Sequence, residues 1–498
     1  MAAMLAIDFH KLKELFLYSP NEPLMFSSGF FLFLFLGFLS VYVLLKNRNN
    51  LRILYVVAFS YYFYYKTSGY SFLILAVITC LDFYVGWSIN LFKEKYLRRF
   101  LLSLSIIGNL GILCYFKYTN FVYGIICDFS GKEFRAFDIF LPIGISFFLF
   151  QSMSYTIDIY RKKIKPLNNI LDFAFFVSFF PQLVAGPIIR AKDFLPQIRR
   201  PLLITQNMFG RGVYLIAIGL FKKAVISDYI SINFVDRIFD NPSLYTGIEN
   251  LFGIYGYALQ IYCDFSGYSD IAIGMALLLG FRFSENFNSP YKSATITEFW
   301  KRWHISLSSW LKDYLYISLG GNRKGKIRTY INLMITMLLG GLWHGASLRF
   351  ILWGGLHGIA LVIHKIFLGL FPSLKSTGTK MKPFQRFLGI LITFHIVCFG
   401  WIFFRVHSVQ TGLDMLNQIG SNFCPEVFFE LIKGYPYVFA LMFIGFVAHF
   451  LPVKVKTAGI ELTTSMPLLF KVLLLLVVII IIFQVKSSEI QPFIYFQF

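Results

Sequence analysis

The sequence predicts an all-α protein that crosses a membrane many times, and two observations carry this prediction. Only 14% of the 498 residues are charged and 57% are hydrophobic, whereas soluble domains carry about 25% charged residues. The apolar residues also form long runs, because residues 24–45 contain no charge and residues 473–483 are wholly apolar. A helix needs about 20 such residues to cross a bilayer. We therefore expect about 11–13 transmembrane helices in a single domain over residues 1–498, with its core at about 139–370.

Apolar segments follow one another along the chain and set the expected helices in order. The first is too long for the apolar core of a signal peptide, so it is expected to stay as an anchor. The segment 248–280 is long enough for two helices. The candidate spans are residues 24–45, 52–66, 70–92, 100–126, 139–160, 170–189, 207–232, 248–280, 329–345, 348–371, 385–405, 435–451 and 467–484.

Basic residues cluster in the loops between these segments. The chain has 46 Lys and Arg against 25 Asp and Glu, a formal net charge of +21. Basic loops between apolar segments mark the cytoplasmic side of a membrane protein, so we expect the lipid bilayer, and not nucleic acid, as a partner. The clusters are Lys46, Arg48 and Arg52; Lys93, Lys95, Arg98 and Arg99; Arg161, Lys162, Lys163 and Lys165; Arg190, Lys192, Arg199 and Arg200; and residues 301–328.

The segment 170–189 breaks the simple alternation of sides, because basic clusters flank both of its ends. A full crossing would put one cluster outside, whereas a re-entrant hairpin keeps both in the cytoplasm. The pairs Phe180-Pro181 and Gly186-Pro187 supply the breaks. Re-entrant backbone is tolerated only where protein or a water-filled cavity covers it. The sequence therefore predicts a funnel or tunnel at the centre of the helices.

Residues 295–319 are too charged to span and predict an interfacial amphipathic helix on the cytoplasmic side. Thr295 and Glu298 have the spacing of a capping box, so the helix should begin there. Its apolar stripe would contain Trp300, Trp303, His304, Leu307 and Leu311. From this periodicity alone, His304 is more often the polar tip of a membrane-surface helix than a site residue.

His344 ends an apolar segment that enters the membrane after Lys324, Lys326 and Arg328. The 16 residues from Arg328 to His344 rise roughly 24 Å in a helix, which places His344 deep in the bilayer. A buried imidazole is expected to be neutral, and a neutral imidazole can serve as a general base. The alternative is a histidine that bonds two helices, with Gly340, Gly341 and Gly345 allowing close packing.

Other chemical signatures are weak. Residues 320–326 match GxxxxGK, but Ile327 replaces the magnesium-binding hydroxyl residue, so we interpret them as a basic loop. The six cysteines include no CxxC pair, and no metal site or disulfide framework is expected. Four further histidines lie in apolar runs, and His357 is the least ordinary of them, because Trp353, Gly354 and Gly355 precede it.

Several long motifs in order resemble the membrane-bound O-acyltransferase family, most closely its bacterial alginate O-acetyltransferase-like subgroup. The resemblance covers most of the chain, and both histidine motifs fit. The motifs are LMFSSGFFLFLF at 24–35, LPIGISFFLFQSMSYTIDIYR at 141–161, FFPQLVAGPIIRAKDFLPQI at 179–198, YCDFSGYSDIAIG at 262–274, FWKRWHISLSSWLKDYLYISLGGNR at 299–323, LGGLWHGAS at 339–347 and FIYFQF at 493–498.

The resemblance implies a function and a set of site residues. It implies catalytic roles for His344 and His304, and a ring of helices around a funnel. It implies a cytoplasmic thioester donor, acetyl-CoA or a carrier-protein thioester, and no tightly bound cofactor. The acceptor would be an extracytoplasmic polysaccharide or peptidoglycan outside a bacterial inner membrane. The residues expected to line the substrate tunnel are Trp300, Trp303, Trp343, Asp313 and Tyr314.

The resemblance also implies a second protein, because this subgroup hands the acyl group to an extracytoplasmic partner of the SGNH serine-hydrolase type. The sequence contains no serine motif of that kind. The competing hypothesis is a transporter or flippase of a cell-envelope polysaccharide precursor. Such a protein predicts inverted repeats, and no internal symmetry of that kind is evident in the sequence.

Overall fold

The computed structural model describes residues 9–20, 22–26, 28–184, 186–371 and 382–485, and within these ranges every regular element is a helix. The motif at 493–498 lies outside the described residues. The chain divides into two compact units, one formed by residues 1–204 and 276–282 and the other by residues 205–275 and 283–498. The single-domain organisation and the funnel stay predictions.

The first unit contains the amino-terminal helices. Its longest helix, α5, begins within the second basic cluster. The helices are α1 (Phe9–Phe16), α2 (Gly29–Leu44), α3 (Asn49–Ser68), α4 (Phe72–Leu91), α5 (Lys95–Ser130), α6 (Ile145–Tyr160), α7 (Ile170–Ser178), α8 (Phe180–Leu183) and α9 (Ala191–Ile198).

The second unit contains both candidate histidines. Its first helix, α10, continues through π-helical turns at Phe221–Ser227 and Ser231–Val235. The helices are α10 (Gln206–Leu220), α11 (Asp228–Ile230), α12 (Asp236–Asp240), α13 (Gly247–Leu278, whose last turn belongs to the first unit), α14 (Ile296–Arg302), α15 (Ile305–Trp310), α16 (Gly325–His344), α17 (Leu348–Leu370), α18 (Pro383–Arg405), α19 (Val409–Ser421), α20 (Phe428–Gly434), α21 (Pro436–Phe450), α22 (Val453–Ser465) and α23 (Leu468–Val485).

Several helices are long and apolar enough to cross a membrane. Within the described residues there are four, at Asn49–Leu91, Lys95–Ser130, Leu348–Leu370 and Pro383–Arg405, or five if the bent pair Pro425–Gly434 and Pro436–Phe450 is one span. Both the all-α class and the multi-pass membrane character are confirmed. The larger count of about 11–13 spans stays a prediction.

The segment predicted to be re-entrant is broken as expected. The helix α7 has nine residues, roughly 14 Å, which is too short to cross a bilayer. The freed backbone groups find partners inside the unit: Gln151 Nε2 donates to the carbonyl oxygen of Phe176 at 2.7 Å, and the N–H of Phe180 donates to Ser60 Oγ at 3.2 Å. Such compensation is required of irregular backbone at membrane depth. The return of the segment to the cytoplasmic side stays a prediction.

Residues 248–280 do not form two helices. The helix α13 is continuous over 32 residues, and its glycines serve packing instead of a break. A methyl group on Gly267 would lie 2.7 Å from the carbonyl oxygen of Gly219, and one on Gly274 would lie 2.7 Å from that of Gly212. These glycines therefore let α13 pack closely against α10. The structure also contains α19, α20 and α22, which the search for apolar runs missed because their sequences are mixed or short.

Candidate active site

A tight contact between α16 and α17 fixes the position of His344, the last residue of α16. A methyl group added to Gly341 would lie 2.2 Å from the carbonyl oxygen of Phe350. One added to Gly354 would lie 2.3 Å from that of Met337. Glycines at both positions allow the two backbones to approach. The packing predicted for the glycines therefore exists, and it holds His344, which is only 4% exposed, inside the unit.

The predicted helix over residues 295–319 begins as expected. Thr295 Oγ1 accepts a hydrogen bond from the N–H of Glu298 at 3.1 Å, so Thr295 is the N-cap of α14. The Glu298 carboxylate accepts from the N–H of Ala294 at 2.9 Å, one residue earlier than in a regular capping box.

The prediction of one continuous amphipathic helix is wrong, because the chain breaks at His304. This residue has φ +42° and ψ +56°, in the left-handed region, between the end of α14 and the start of α15. Asn286 imposes the break: its carbonyl oxygen accepts from the N–H of Ile305 at 2.9 Å, and its side-chain Oδ1 accepts from that of Ser306 at 3.1 Å. The break turns His304 into the unit, where it is 1% exposed.

Asn286 also selects the tautomer of His304. The amide is oriented because Nδ2 donates to Ser269 Oγ at 3.1 Å, which leaves Oδ1 beside His304 Nδ1 at 3.3 Å. Since an amide oxygen only accepts, Nδ1 carries the proton and Nε2 keeps its lone pair. Burial lowers the pKa of His304, so the ring is neutral near pH 7.

Trp343 contacts both histidines. The ring centroid of Trp343 is 6.0 Å from that of His304 and 5.0 Å from that of His344. The structure therefore brings His304 close to Trp343 and His344, which follow it by 39 and 40 positions in the sequence.

Two more of the predicted tunnel residues belong to the same aromatic cluster. Trp303 is 1% exposed and packs 4.9 Å from Trp401. Trp300 packs 5.7 Å from Trp353, whose ring is 5.0 Å from His344. Trp353 is therefore the link between Trp300 and His344.

The remaining two predicted tunnel residues lie on the π-helical turn Leu311–Tyr316. Asp313 lies 4.0 Å from the ammonium group of Lys312, and Tyr314 packs 5.1 Å from Trp310.

The sequence missed several residues that surround the histidines. Phe404 on α18 packs 5.1 Å from His344, and Phe265 on α13 packs 4.6 Å from His304. Asn286, which orients His304, lies in a loop without any motif. Phe265 lies in the motif at 262–274, but that motif does not show its contact with His304, and Phe404 and Asn286 lie outside every motif.

A cavity of about 650 Å³ lies beside His304 in the second unit. Phe287 is part of its wall and stacks on His304 with ring centroids 6.3 Å apart. The cavity wall is mainly apolar and contains two ion pairs: Lys222 pairs with Asp270 at 2.7 Å, and Lys456 pairs with Glu285 at 3.1 Å.

Cations exceed carboxylates in the cavity. Lys292 has no carboxylate within 4.0 Å in the described part of the chain, and its Nζ donates to the carbonyl oxygen of Leu451 at 2.6 Å. The charged lining residues are Arg211, Lys222, Lys292, Lys456, Asp270, Glu285 and Glu461. This lining suits an anionic ligand. The described residues contain no group of three or more His, Cys, Asp and Glu that could hold a metal ion.

Known proteins that resemble this chain are membrane acyltransferases. The model of the membrane-bound O-acyltransferase family matches residues 159–404. The chain is 41% identical to a probable alginate O-acetylase of Pseudomonas putida over 407 residues, 80% of each protein. It is 35% identical to a peptidoglycan O-acetyltransferase of Helicobacter pylori, again over 80% of each. It is 29% identical to a teichoic acid D-alanyltransferase of Bacillus subtilis over 53% of this chain and 68% of that protein.

The chain belongs to the membrane-bound O-acyltransferase family. The predicted resemblance is thereby confirmed, and the protein is an acyltransferase. The matched region of this membrane-bound O-acyltransferase contains His304, Trp343 and His344 together with the wall of the cavity as far as Lys292. The family does not by itself assign roles to these side chains.

Proposed function

We propose that this membrane-bound O-acyltransferase takes an acetyl group from a cytoplasmic thioester and moves it across the bacterial inner membrane, toward hydroxyl groups of an extracytoplasmic polysaccharide or peptidoglycan. The observation that carries the proposal is the pair of buried histidines that both pack against Trp343, within the region that matches the family. Burying an ionisable side chain inside a membrane protein costs free energy, so a buried histidine there is a candidate for a functional residue.

His344 is the general base in this proposal. Its position at the end of α16, roughly 28 Å along the helix from Gly325, separates it from Lys324 and Lys326 before the helix and supports a place toward the acceptor side. It accepts the proton of the acceptor hydroxyl, the oxygen attacks the thioester carbonyl, and the C–S bond breaks. The thiolate then takes up the proton and leaves as a thiol.

His304 holds the donor side of the reaction. Its Nε2 lone pair, set by Asn286, accepts a hydrogen bond and therefore suits the thiol proton better than an oxyanion. An alternative role for His344 is to carry the acetyl group itself as an acyl-imidazole. Trapping an acetyl adduct on His344 by rapid quench and mass spectrometry would select that route over general-base catalysis.

The cavity beside His304 is the proposed site for the charged part of the donor. Acetyl-CoA and a carrier-protein phosphopantetheine are both anionic, and Lys292 supplies an uncompensated cation there. Lys292→Gln is expected to raise KM for acetyl-CoA several-fold and to leave kcat near the wild-type value. An unchanged KM would show that the donor binds another surface, such as the basic loop at residues 301–328.

A second protein on the acceptor side is expected, because the resemblance implies a relay to an extracytoplasmic partner and the sequence contains no serine motif of that kind. We infer that the acetyl group passes to an extracytoplasmic serine hydrolase of the SGNH type. Acetylation of such a partner, co-expressed with this protein, would support the relay. Direct acetylation of a polysaccharide by this protein alone would contradict it.

The experiment that tests the function uses the purified protein in nanodiscs with radiolabelled acetyl-CoA and a hydroxyl acceptor. His344→Ala is expected to lower the turnover by about 10²–10⁴-fold. The control is His395→Ala on α18, which removes an exposed histidine bonded to Tyr255 and to the carbonyl oxygen of Leu391. Normal turnover in the His344 variant would reject the assignment.

A further inference from the structure

His357 is a buried histidine that the mechanism above does not use. It lies on α17 one turn after Trp353 and is 1% exposed. In the described part of the chain no protein group forms a hydrogen bond with Nδ1 or Nε2. By contrast, His449 Nε2 accepts from the N–H of Tyr291 at 3.1 Å. Buried polar groups cost free energy unless they are hydrogen-bonded, so His357 is a candidate for binding a ligand.

Two tryptophans beside His357 have the same property. Trp300 packs 5.1 Å and Trp353 packs 4.8 Å from the imidazole. Neither indole N–H finds an acceptor among the described residues, whereas the neighbouring Trp401 donates to the Tyr291 hydroxyl at 3.2 Å. Three polar side chains in mutual ring contact thus have hydrogen-bonding capacity that the protein does not fill.

The chemistry of this group points to one kind of ligand atom. An indole only donates, and a neutral imidazole donates once and accepts once. The cluster therefore offers three donors against one acceptor and no fixed charge. A carbonyl oxygen only accepts and gains negative charge during acyl transfer. It therefore matches such a set better than a hydroxyl, which also donates, or a ligand that carries a full charge before the reaction.

The cluster lies next to the proposed base. The ring of Trp353 contacts both histidines, with centroid distances of 4.8 Å to His357 and 5.0 Å to His344. The backbone of α18 leaves room for the imidazole, since a methyl group on Gly400 would lie 2.9 Å from His357 Nε2.

We propose that His357, Trp300 and Trp353 form the site for the carbonyl oxygen of the acyl group during transfer. This inference rests on the proposed function. When the hydroxyl oxygen attacks, the carbonyl π electrons move to the oxygen, and the N–H groups hold the oxyanion. When the C–S bond breaks, the carbonyl re-forms and the thiolate takes the proton that His344 accepted. Donors fixed in place before the reaction stabilise such an oxyanion.

The test compares His357→Phe, which keeps the aromatic packing and removes both nitrogens, with His357→Gln, which restores a donor. Turnover of acetyl-CoA is measured per folded protein in nanodiscs. Loss of one oxyanion donor lowers kcat by about 10²-fold, so His357→Phe should show that loss with KM nearly unchanged. His357→Gln should recover part of kcat, and Trp353→Phe should show a similar loss.

The matched control is His364→Phe, two turns further along α17, where Nδ1 lies 2.8 Å from Thr297 Oγ1. It should keep the wild-type kcat. If His357→Phe keeps the wild-type kcat, or if His357→Gln loses as much as Phe, the site is wrong and His357 only packs. If His357→Phe does not fold, Trp353→Phe and His357→Gln decide by the same comparison. A wild-type protein that transfers no acetyl group would instead reject the proposed function.

Discussion

His304 combines a left-handed backbone with a buried, oriented ring. Few residues other than glycine adopt such angles, and asparagine is among those that tolerate them. His304→Asn should therefore keep the backbone at φ +42° and remove only the imidazole. We expect the melting temperature to stay close to the wild-type value and acetyl transfer to fall by about 10²-fold. His304→Ala, which strains the backbone, serves as the comparison and should melt lower. Full activity of the Asn variant would remove His304 from the site.

The same residue makes stability depend on pH. His304 lies in a turn outside the helices that are long enough to span, and burial lowers its pKa below the ordinary 6.5. Below pH 6.5 the imidazole of the unfolded chain binds a proton that the buried ring of the folded protein does not bind. The contribution of His304 to the free energy of unfolding is therefore fully present above pH 6.5 and is lost as the pH falls below it. One such proton is worth about 1.4 kcal/mol per pH unit. Between pH 7 and pH 5, the melting temperature of wild type should fall more than that of His304→Asn. Parallel pH curves would contradict this origin.

At the scale of the element, local signals predicted where helices begin but not where they break. Thr295 starts α14 because its hydroxyl and Glu298 stand at fixed spacing, which the sequence displays. The break at His304 depends on Asn286, 18 residues earlier and in a separate loop. The close packing of α13 depends in the same way on Gly219 and Gly212 of the facing helix α10. Contacts between elements have no periodic signature, so the sequence could not show them.

The close contact of α16 with α17 predicts that alanine is tolerated at some of its glycines and not at others. Gly341→Ala places a methyl group 2.2 Å from the carbonyl oxygen of Phe350, and backbone cannot yield as a side chain can. We expect a lower melting temperature and reduced acetyl transfer, because the helices separate and His344 moves relative to Trp353. Gly355→Ala meets only Leu338 Cδ2 at 3.6 Å and should be neutral or stabilising by about 0.5–1 kcal/mol. Equal melting temperatures for the two variants would show that the close contact is not required.

At the scale of the whole molecule, composition and run length were enough for the all-α membrane class, and the ordered motifs for the family. His304, Trp343 and His344 were named from motifs, and the structure brings them together. The sequence did not predict Phe404 or the cavity beside Lys292, since both depend on residues that are distant from one another in the sequence. Three helices after residue 405, α19, α20 and α22, were not predicted because they contain no long apolar run. The sidedness of the chain rests on charge alone, and it can be measured.

The topology prediction concerns the two ends of the segment 170–189. Asn168 and Leu203 are exposed and flank α7 and α9. If the segment is re-entrant, both positions face the cytoplasm, because basic loops stay on that side. In a variant without native cysteines, Asn168→Cys and Leu203→Cys should resist a membrane-impermeant maleimide added to intact spheroplasts and react after permeabilisation.

Ser130→Cys is the control for the opposite side. The helix α5 begins in a basic cluster and is long enough to cross the membrane, so its last residue, Ser130, which is exposed, is expected to face outward. It should react in intact cells, which also shows that the reagent reaches the protein. If Asn168→Cys and Leu203→Cys react on opposite sides, the segment crosses the membrane. Every span after it would then reverse its direction, and His344 would lie toward the cytoplasm. The acceptor hydroxyl would have to reach the base from that side, so this labelling pattern decides between acyl transfer across the membrane and acyl transfer within the cytoplasm.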